Sequence, residues 1–372
     1  MPGKVCMITT VHNPFDTRIF HKEAITLAKA GYEVTLIAPY EKDETVDGIN
    51  IVVLKKPKNR ISRILLLGWK AYKIALKQNA DVYHFHDPEF LPWAKRLKNK
   101  SGTKVIYDVH EDYSTSIKQK RYIPFFLRKF VSKLFDYIEG YYSKYLIKIL
   151  AEKYYQSRFP EGNTILNYPL LYNKTKKEKD YNLKLTSNYK VIYTGNVSID
   201  RGALIYSEIV KYIQNLHVYF VGKCNRKIAE QIYEKAENEK DRIHIDGNGF
   251  IPFEKILSYY KKGEWIAALA IFPYSEHYYQ KELTKIFEYM QAGIPIIASN
   301  FPTWVELIEN NNCGICVNPN DSEKIKEAIT YLINNSDKRK IMGMNGKKIV
   351  WEKYNWEIEG KKLVNLYKNI LG

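Results

Sequence analysis

No apolar run in this chain is long enough to cross a bilayer, which takes about 20 predominantly apolar residues in a helix. The longest candidate, ISRILLLGWKAYKIALK over 61–77, is broken by Arg63, Lys70 and Lys73. The first apolar run, VCMITTV over 5–11, is too short for the core of a secretory signal and reads as a first buried strand. A cytoplasmic chain is therefore expected. Cysteine is scarce: Cys6, Cys224, Cys313 and Cys316, among 372 residues, exclude a disulfide framework. Cys313 and Cys316 make a CxxC, but zinc needs two more ligands and no second CxxC or spaced His pair is present. They read as ordinary thiols at a strand entry. Solenoid-period repeats and low-complexity tracts are absent as well.

Acidic residues are also in short supply. Against 58 Lys and Arg stand 41 Asp and Glu, a formal charge of +17 that calls for anionic lipid, nucleic acid or a polyphosphate ligand. No nucleic-acid recognition module is visible, and a basic surface alone gives only salt-dependent nonspecific binding, so no nucleic-acid partner is expected. One basic cluster runs from Lys55 to Lys73. In a second, Lys118, Lys120, Arg121, Arg128, Lys129 and Lys133 alternate with Tyr122, Ile123, Phe125, Phe126, Leu127, Phe130, Val131, Leu134 and Phe135. The segment 118–135 has the pattern of a helix lying on an anionic membrane surface. Equally, it fits lysine-rich solvated faces on helices whose apolar positions meet a core.

What is present is an α/β alternation, repeated. KVCMITTV, a helix from about Ile19 to Ala30, EVTLIAP, INIVVL, a basic helix, DVYHFH, a short helix and TKVIYDVH predict a parallel sheet covered on both faces. The polar, lysine-rich stretch 171–188 marks a linker. The pattern restarts with KVIYTG, LHVYFVG, RIHIDG, WIAALAIF and IPIIAS. Two Rossmann-like domains are expected, over 1–170 and 189–353, followed by a helix over 354–372. Ligands of open α/β sheets bind at the carboxyl ends of strands, where His12 to Asp16, His84 to Glu89, Asp108 to Glu111, Gly195 to Gly202 and Gln280 to Lys285 fall.

The most informative segment is QKELTKIFEYMQAGIPIIASNFP, over 280–302. IFEYMQA reads as a helix ended by Gly293 and Pro295, with a buried strand after it. Lys285 and Glu288 then lie one turn apart near a helix start, where free N–H groups favour a phosphate. Alone, the pair is also an ordinary i,i+3 surface pair. His84, His86 and Asp87 suggest a metal triad, although period-two spacing puts only the two histidines on one strand face. His110, after a buried strand, is by itself as readily a structural hydrogen-bonder.

KIFEYMQAGIPIIAS with NFPTWVELI resembles the signature segment of family-four retaining glycosyltransferases of GT-B type, and the resemblance spans the chain. TTVHNPFDTRIFHKEA, YHFHDPEFLP, YDVHEDY, LNYP and YTGNVSIDRG follow in family order. The resemblance implies two facing Rossmann-like domains with parallel sheets, an interdomain cleft, and a last helix crossing back to the first domain. It implies transfer of a hexosyl or N-acetylhexosaminyl group from a nucleotide-diphosphate sugar to an acceptor hydroxyl, with retention, no metal and no cofactor. His110, Arg201 and Lys285 take the catalytic places. Gly195, Asn196, Phe250, Ile251, Gln280, Glu282, Leu283, Thr284 and Glu288 take the donor side, and His12, Asp16, Arg18 and Asp87 the acceptor side. The expected partners are a nucleotide sugar, a lipid-linked or cell-surface glycan acceptor and, through 118–135, the inner face of the plasma membrane. The sequence departs from the family pattern at Gln280, where the first of two glutamates with seven residues between them is usual. An amide keeps hydrogen bonding but loses charge; the alternative is a silent relative that binds a nucleotide sugar or a partner transferase.

Overall fold

A computed structural model describes residues 3–55, 66–120, 123–172, 188–247, 249, 251–262 and 265–372. Most of the expected linker, part of the first basic cluster, Arg121, Tyr122 and Phe250 lie outside the described residues. The chain divides into two compact units, Met1–Leu170 with Trp356–Gly372, and Leu171–Asn355.

In the first unit the strands are β1 (Lys4–Ile8), β2 (Glu33–Ala38), β3 (Glu44–Val46), β4 (Ile49–Val53), β5 (Val82–Phe85), β6 (Lys104–Val109), β7 (Ile147–Leu150) and β8 (Asn163–Thr164). They form one sheet in the order β3-β4-β2-β1-β5-β6-β7-β8. All pairs are parallel except β3 with β4. That exception is a hairpin the sequence reading passed over. Asp47 (φ +50°) and Gly48 (φ +78°) both turn left-handed, as a two-residue hairpin requires. Alternate residues of the central strands feed two apolar layers, Cys6, Tyr83, Phe85 and Tyr107 on one face and Val5, Met7, Val34 and Ile106 on the other. Trp356, Leu363 and Tyr367 of the helix Trp356–Leu371 complete the second layer.

The helix expected over Ile19–Ala30 differs in kind. It opens as a π-helix over Thr17–Ala24 and becomes an α-helix only over Ile25–Lys29. Asp16 caps it, Oδ1 accepting from Arg18 N at 2.8 Å and Ile19 N at 3.0 Å. The wider i→i+5 winding stacks Arg18 over Glu23, and both side chains are buried.

The helix Phe125–Ser143 is inside out. Its buried residues are Ser132, Glu139 and Ser143, with Ser132 Oγ 2.8 Å from Ser114 Oγ and Glu139 Oε1 accepting from Tyr107 Oη at 2.6 Å. The apolar residues point outward: Phe125 is 81% exposed, Phe126 79% and Phe130 65%, and Leu134, Tyr137 and Tyr141 are exposed beside them. Its apolar stripe therefore does not face the core of this unit.

The second unit holds β9 (Tyr189–Thr194), β10 (Leu216–Val221), β11 (Ile243–Asp246), β12 (Trp265–Ala270), β13 (Ile296–Ser299) and β14 (Gly314–Val317). Their order is β11-β10-β9-β12-β13-β14, all parallel. Behind β9, β10 and β11 the backbones of Gly195, Gly222 and Gly247 nest. A Cβ on Gly222 would stand 1.8 Å from the Gly195 carbonyl oxygen, and one on Gly247 2.0 Å from that of Gly222. Gly222→Ala must push Gly195 aside. The expected cost is about 3 kcal/mol, a melting temperature lowered by roughly 6–12 °C, measurable by calorimetry.

Candidate active site

The signature helix of the second unit runs over Thr284–Ala292 and ends on Gly293 at φ +72°. Leu283 occupies its N-cap position with extended backbone, and no side chain caps the first turn. Lys285 leaves that turn to donate to Tyr193 Oη at 2.7 Å and to the Thr194 carbonyl at 2.8 Å. Its ammonium lies 3.4 Å from where a Cβ on Gly195 would sit, so this glycine (φ +99°) leaves the space above the lysine open. Burial pushes the Lys285 ammonium well below the usual lysine range, Arg201 pushes it further, and Glu288 and Asp200 oppose. Lys285 and Arg201 thus act on one another, with Glu288 and Asp200 as the acidic groups that partly offset them.

Arg201 ends the short turn Ile199–Arg201, ahead of left-handed Gly202. Its Nε donates to Tyr278 Oη at 3.0 Å, and that hydroxyl donates to Asp200 at 3.1 Å. Glu288 accepts from Tyr260 Oη at 3.2 Å, and Tyr260 Oη lies 2.7 Å from Thr194 Oγ1. The structure therefore brings together Gly195, Arg201, Lys285 and Glu288 through Tyr193, Thr194, Tyr260 and Tyr278. Asn196 enters through its backbone, its carbonyl accepting from Tyr193 Oη at 2.7 Å, while its side chain is exposed. Gln280 ends the short helix Glu276–Tyr279 and is exposed, whereas Glu282 is buried. The carboxylate two residues along is the one folded into the unit. Thr284 is half-buried as the first helical residue, and half-buried Ile251 precedes the helix Phe253–Tyr260.

In the first unit the acceptor-side candidates converge behind β1, β5 and β6. Asp87 is buried, its Oδ2 accepting from Thr9 Oγ1 at 2.8 Å and Thr10 N at 2.6 Å, so it ties the loop after β1 to the end of β5. Its Oδ1 lies 3.4 Å from His12 Nε2, and Asp16 lies 3.7 Å from His12 Nδ1. Burial disfavours the charge on His12, but Asp16, Asp87 and Glu111 outweigh it and raise the group to about 9. His110 stands 3.3 Å from His12, Nε2 to Nε2, with its Nδ1 3.2 Å from Asp108 Oδ2.

Arg18 requires a correction. It does not face an acceptor: it is buried, donates to Asp108 through Nε at 2.9 Å and Nη2 at 2.7 Å, and reaches the Ile165 carbonyl at 3.1 Å. The supposed triad also separates. His84 and His86 do share a face, ring centroids 4.6 Å apart, but their carboxylate neighbours are Glu23 and, for His86, Asp108, while Asp87 turns to the β1 loop.

These two sites sit in two recognisable domains. Residues 17–150 match the family model Glycosyltransferase Family 4, and residues 174–349 match Glycosyl transferases group 1. The chain is a glycosyltransferase. It is 26% identical over 331 residues to an uncharacterized glycosyltransferase, MJ1178, of Methanocaldococcus jannaschii, covering 86% of each chain. The capsular polysaccharide biosynthesis glycosyltransferase CapM of Staphylococcus aureus is 24% identical over 57% of this chain and 54% of CapM. Among solved structures, Anabaena Alr3699/HepE in complex with UDP-glucose superposes with a TM-score of 0.72 at 13% identity, over 99% of this chain and 100% of that one. The glycosyltransferase thus has the GT-B architecture of two α/β domains with largely parallel sheets.

The sequence reading of this glycosyltransferase placed Asp108 in a strand-end cluster without giving it a role, and missed Glu23, Tyr193, Tyr260 and Tyr278. Asp108 carried a signal, an acid inside the otherwise apolar strand VIYDV. The tyrosines carried none, since a buried tyrosine is recognised as polar only when its hydroxyl partner is known.

Proposed function

We propose that this glycosyltransferase moves a hexosyl or N-acetylhexosaminyl group from a nucleotide-diphosphate sugar to an acceptor hydroxyl, with retention and without a metal or cofactor. The observation that carries it is Lys285, held by Tyr193 Oη and the Thr194 carbonyl beside an uncapped helix start, with Arg201 held by Tyr278 Oη, cations that suit a polyanion. In this scheme Lys285 and Arg201 neutralise the diphosphate, Glu288 accepts from the ribose hydroxyls, and Gln280 and Glu282 serve the sugar. The loop at Ile251 meets the base. The bond from the anomeric carbon to the diphosphate oxygen breaks, the acceptor oxygen bonds to that carbon on the same face, and the acceptor proton passes to the leaving diphosphate. His110 hydrogen-bonds the sugar near the reacting carbon. His12, Asp16 and Asp87 shape the acceptor side.

The acceptor in this scheme is a lipid-linked or cell-surface glycan intermediate, met at the inner face of the plasma membrane. The outward aromatic stripe of Phe125–Ser143, with Lys129, Lys133 and Lys144 beside it, supports contact with anionic lipid. So does the capsular polysaccharide assignment of CapM.

The test is a thermal-shift screen with UDP, GDP, CDP, ADP and their common sugar conjugates, with and without EDTA. A ligand at a hundred times its Kd stabilises by about 2.7 kcal/mol, a rise of several degrees. The expected result is a rise with one nucleotide that survives EDTA and disappears in Glu288→Ala. No rise with any of them would favour a silent relative that binds a partner transferase, the second form of the alternative suggested by Gln280.

A further inference from the structure

We infer that Asp108 is the positioning residue for His110, holding its proton on Nδ1 so that Nε2 is left unprotonated, as an acceptor. Two independent contacts lead to this. Asp108 Oδ2 lies 3.2 Å from His110 Nδ1, and the backbone carbonyl of Asp108, which can only accept, lies 3.3 Å from the same nitrogen. On the other side of the ring, His12 Nε2 lies 3.3 Å from His110 Nε2. A charged His12 has only donors to offer, so His110 Nε2 is the acceptor of that pair and carries no proton.

Asp108 is itself built into place. Arg18 grips both its oxygens, at 2.9 and 2.7 Å, and His86 Nδ1 lies 3.2 Å from Oδ2. The π-helical winding brings Glu23 Oε1 within 3.1 Å of Arg18 Nη2 and its Oε2 within 3.8 Å of His84 Nε2. His84 Nδ1 then reaches Tyr367 Oη, on the last helix, at 3.0 Å. The motifs DTRIFHKE, HFHD and YDVH are thus one buried assembly whose outward end is the imidazole of His110. Burial raises the carboxyl of Asp108 and would neutralise it, but the Arg18 charge and three hydrogen bonds hold it well below the usual range. Arg18, read from sequence as an acceptor contact, keeps Asp108 ionised instead.

The catalytic consequence rests on the proposed role of His110 at the sugar; the tautomer does not. Nitrogen-15 NMR of the full-length protein labelled at its eight histidines, with His110→Gln to assign the signal, reads the tautomer directly. A neutral His110 protonated on Nδ1 is expected. Protonation on Nε2, or averaging between the two, overturns the inference, His110→Gln serving only to assign the signal. In Asp108→Asn, where the backbone carbonyl at 3.3 Å still accepts from Nδ1, the signal is expected to move part of the way toward the other tautomer, and kcat to fall with the donor KM unchanged. If that variant does not fold, Arg18→Lys, which keeps the charge but not the two-pronged grip, is expected to give a smaller fall of the same kind. A rise in KM alone in Arg18→Lys would count against positioning. Full transfer by His110→Gln would instead overturn the proposed role of His110, leaving the tautomer measurement to stand by itself.

Discussion

Lys285→Ala is expected to lower kcat by about 10²–10³, as removal of one preorganised charge-stabilising donor does elsewhere. The ammonium is held against Tyr193 and the Thr194 carbonyl, so it does not have to be ordered when charge develops on a leaving diphosphate. Burial and Arg201 depress its basicity against the opposing Glu288 and Asp200, so an incoming anion would favour the charged ammonium. The substitution removes two hydrogen bonds at the pocket edge, about 1 kcal/mol each, and leaves the apolar core of Ile286, Phe287 and Met290 intact. The melting temperature is therefore expected to move by only a few degrees, and single-turnover rates with a defined donor separate lost chemistry from lost fold. Unchanged turnover would remove Lys285 from the site. Glu288→Ala differs in kind, because its carboxylate accepts from Tyr260 and in the proposed scheme holds the ribose rather than the reacting group. It is expected to act chiefly on donor KM.

Replacing Phe125, Phe126 and Phe130 together by serine is expected to weaken binding to vesicles containing anionic lipid by at least about a hundredfold. Full burial of one such side chain contributes about 1.5–3 kcal/mol, so even partial insertion of three exceeds 2.7 kcal/mol. The same change is expected to leave the melting temperature nearly unaltered, because the three rings contribute little to the core at exposures of 81%, 79% and 65%. Co-sedimentation with vesicles with and without anionic lipid separates the aromatic contribution from that of Lys129 and Lys133. Adding salt weakens the basic part, while the aromatic part persists. Equal binding by the serine variant would mean that the stripe serves some other contact.

How much of this could be read from sequence depends on the range of the interaction concerned. Buried parallel strands announce themselves as apolar runs such as VTLIA and WIAALA, and the helix TKIFEYMQA announces its end through Gly293, so the two α/β domains were legible. So was the closeness of Lys285 and Glu288, which follows from one helical turn. The hairpin at Asp47–Gly48 was legible too, through its turn residues, and was passed over because β3 is only three residues long.

The sequence by itself determined the elements, their alternation and the placing of motifs at strand ends, because local propensity and period depend on neighbours along the chain. Only the tertiary structure decided which way a face points and which charge meets which. Periodicity groups Phe126, Phe130, Tyr137 and Tyr141 on one side of a helix but cannot say that Ser132 and Glu139 take the inside. That depends on Tyr107 and Ser114 being there to satisfy them. Likewise the partner of Arg18 lies 90 residues away in Asp108, on a strand that parallel pairing through β1 and β5 brings alongside. Burial then turns that encounter into a lasting one, since an arginine and a carboxylate removed from water hold each other charged, and neither is left for a substrate.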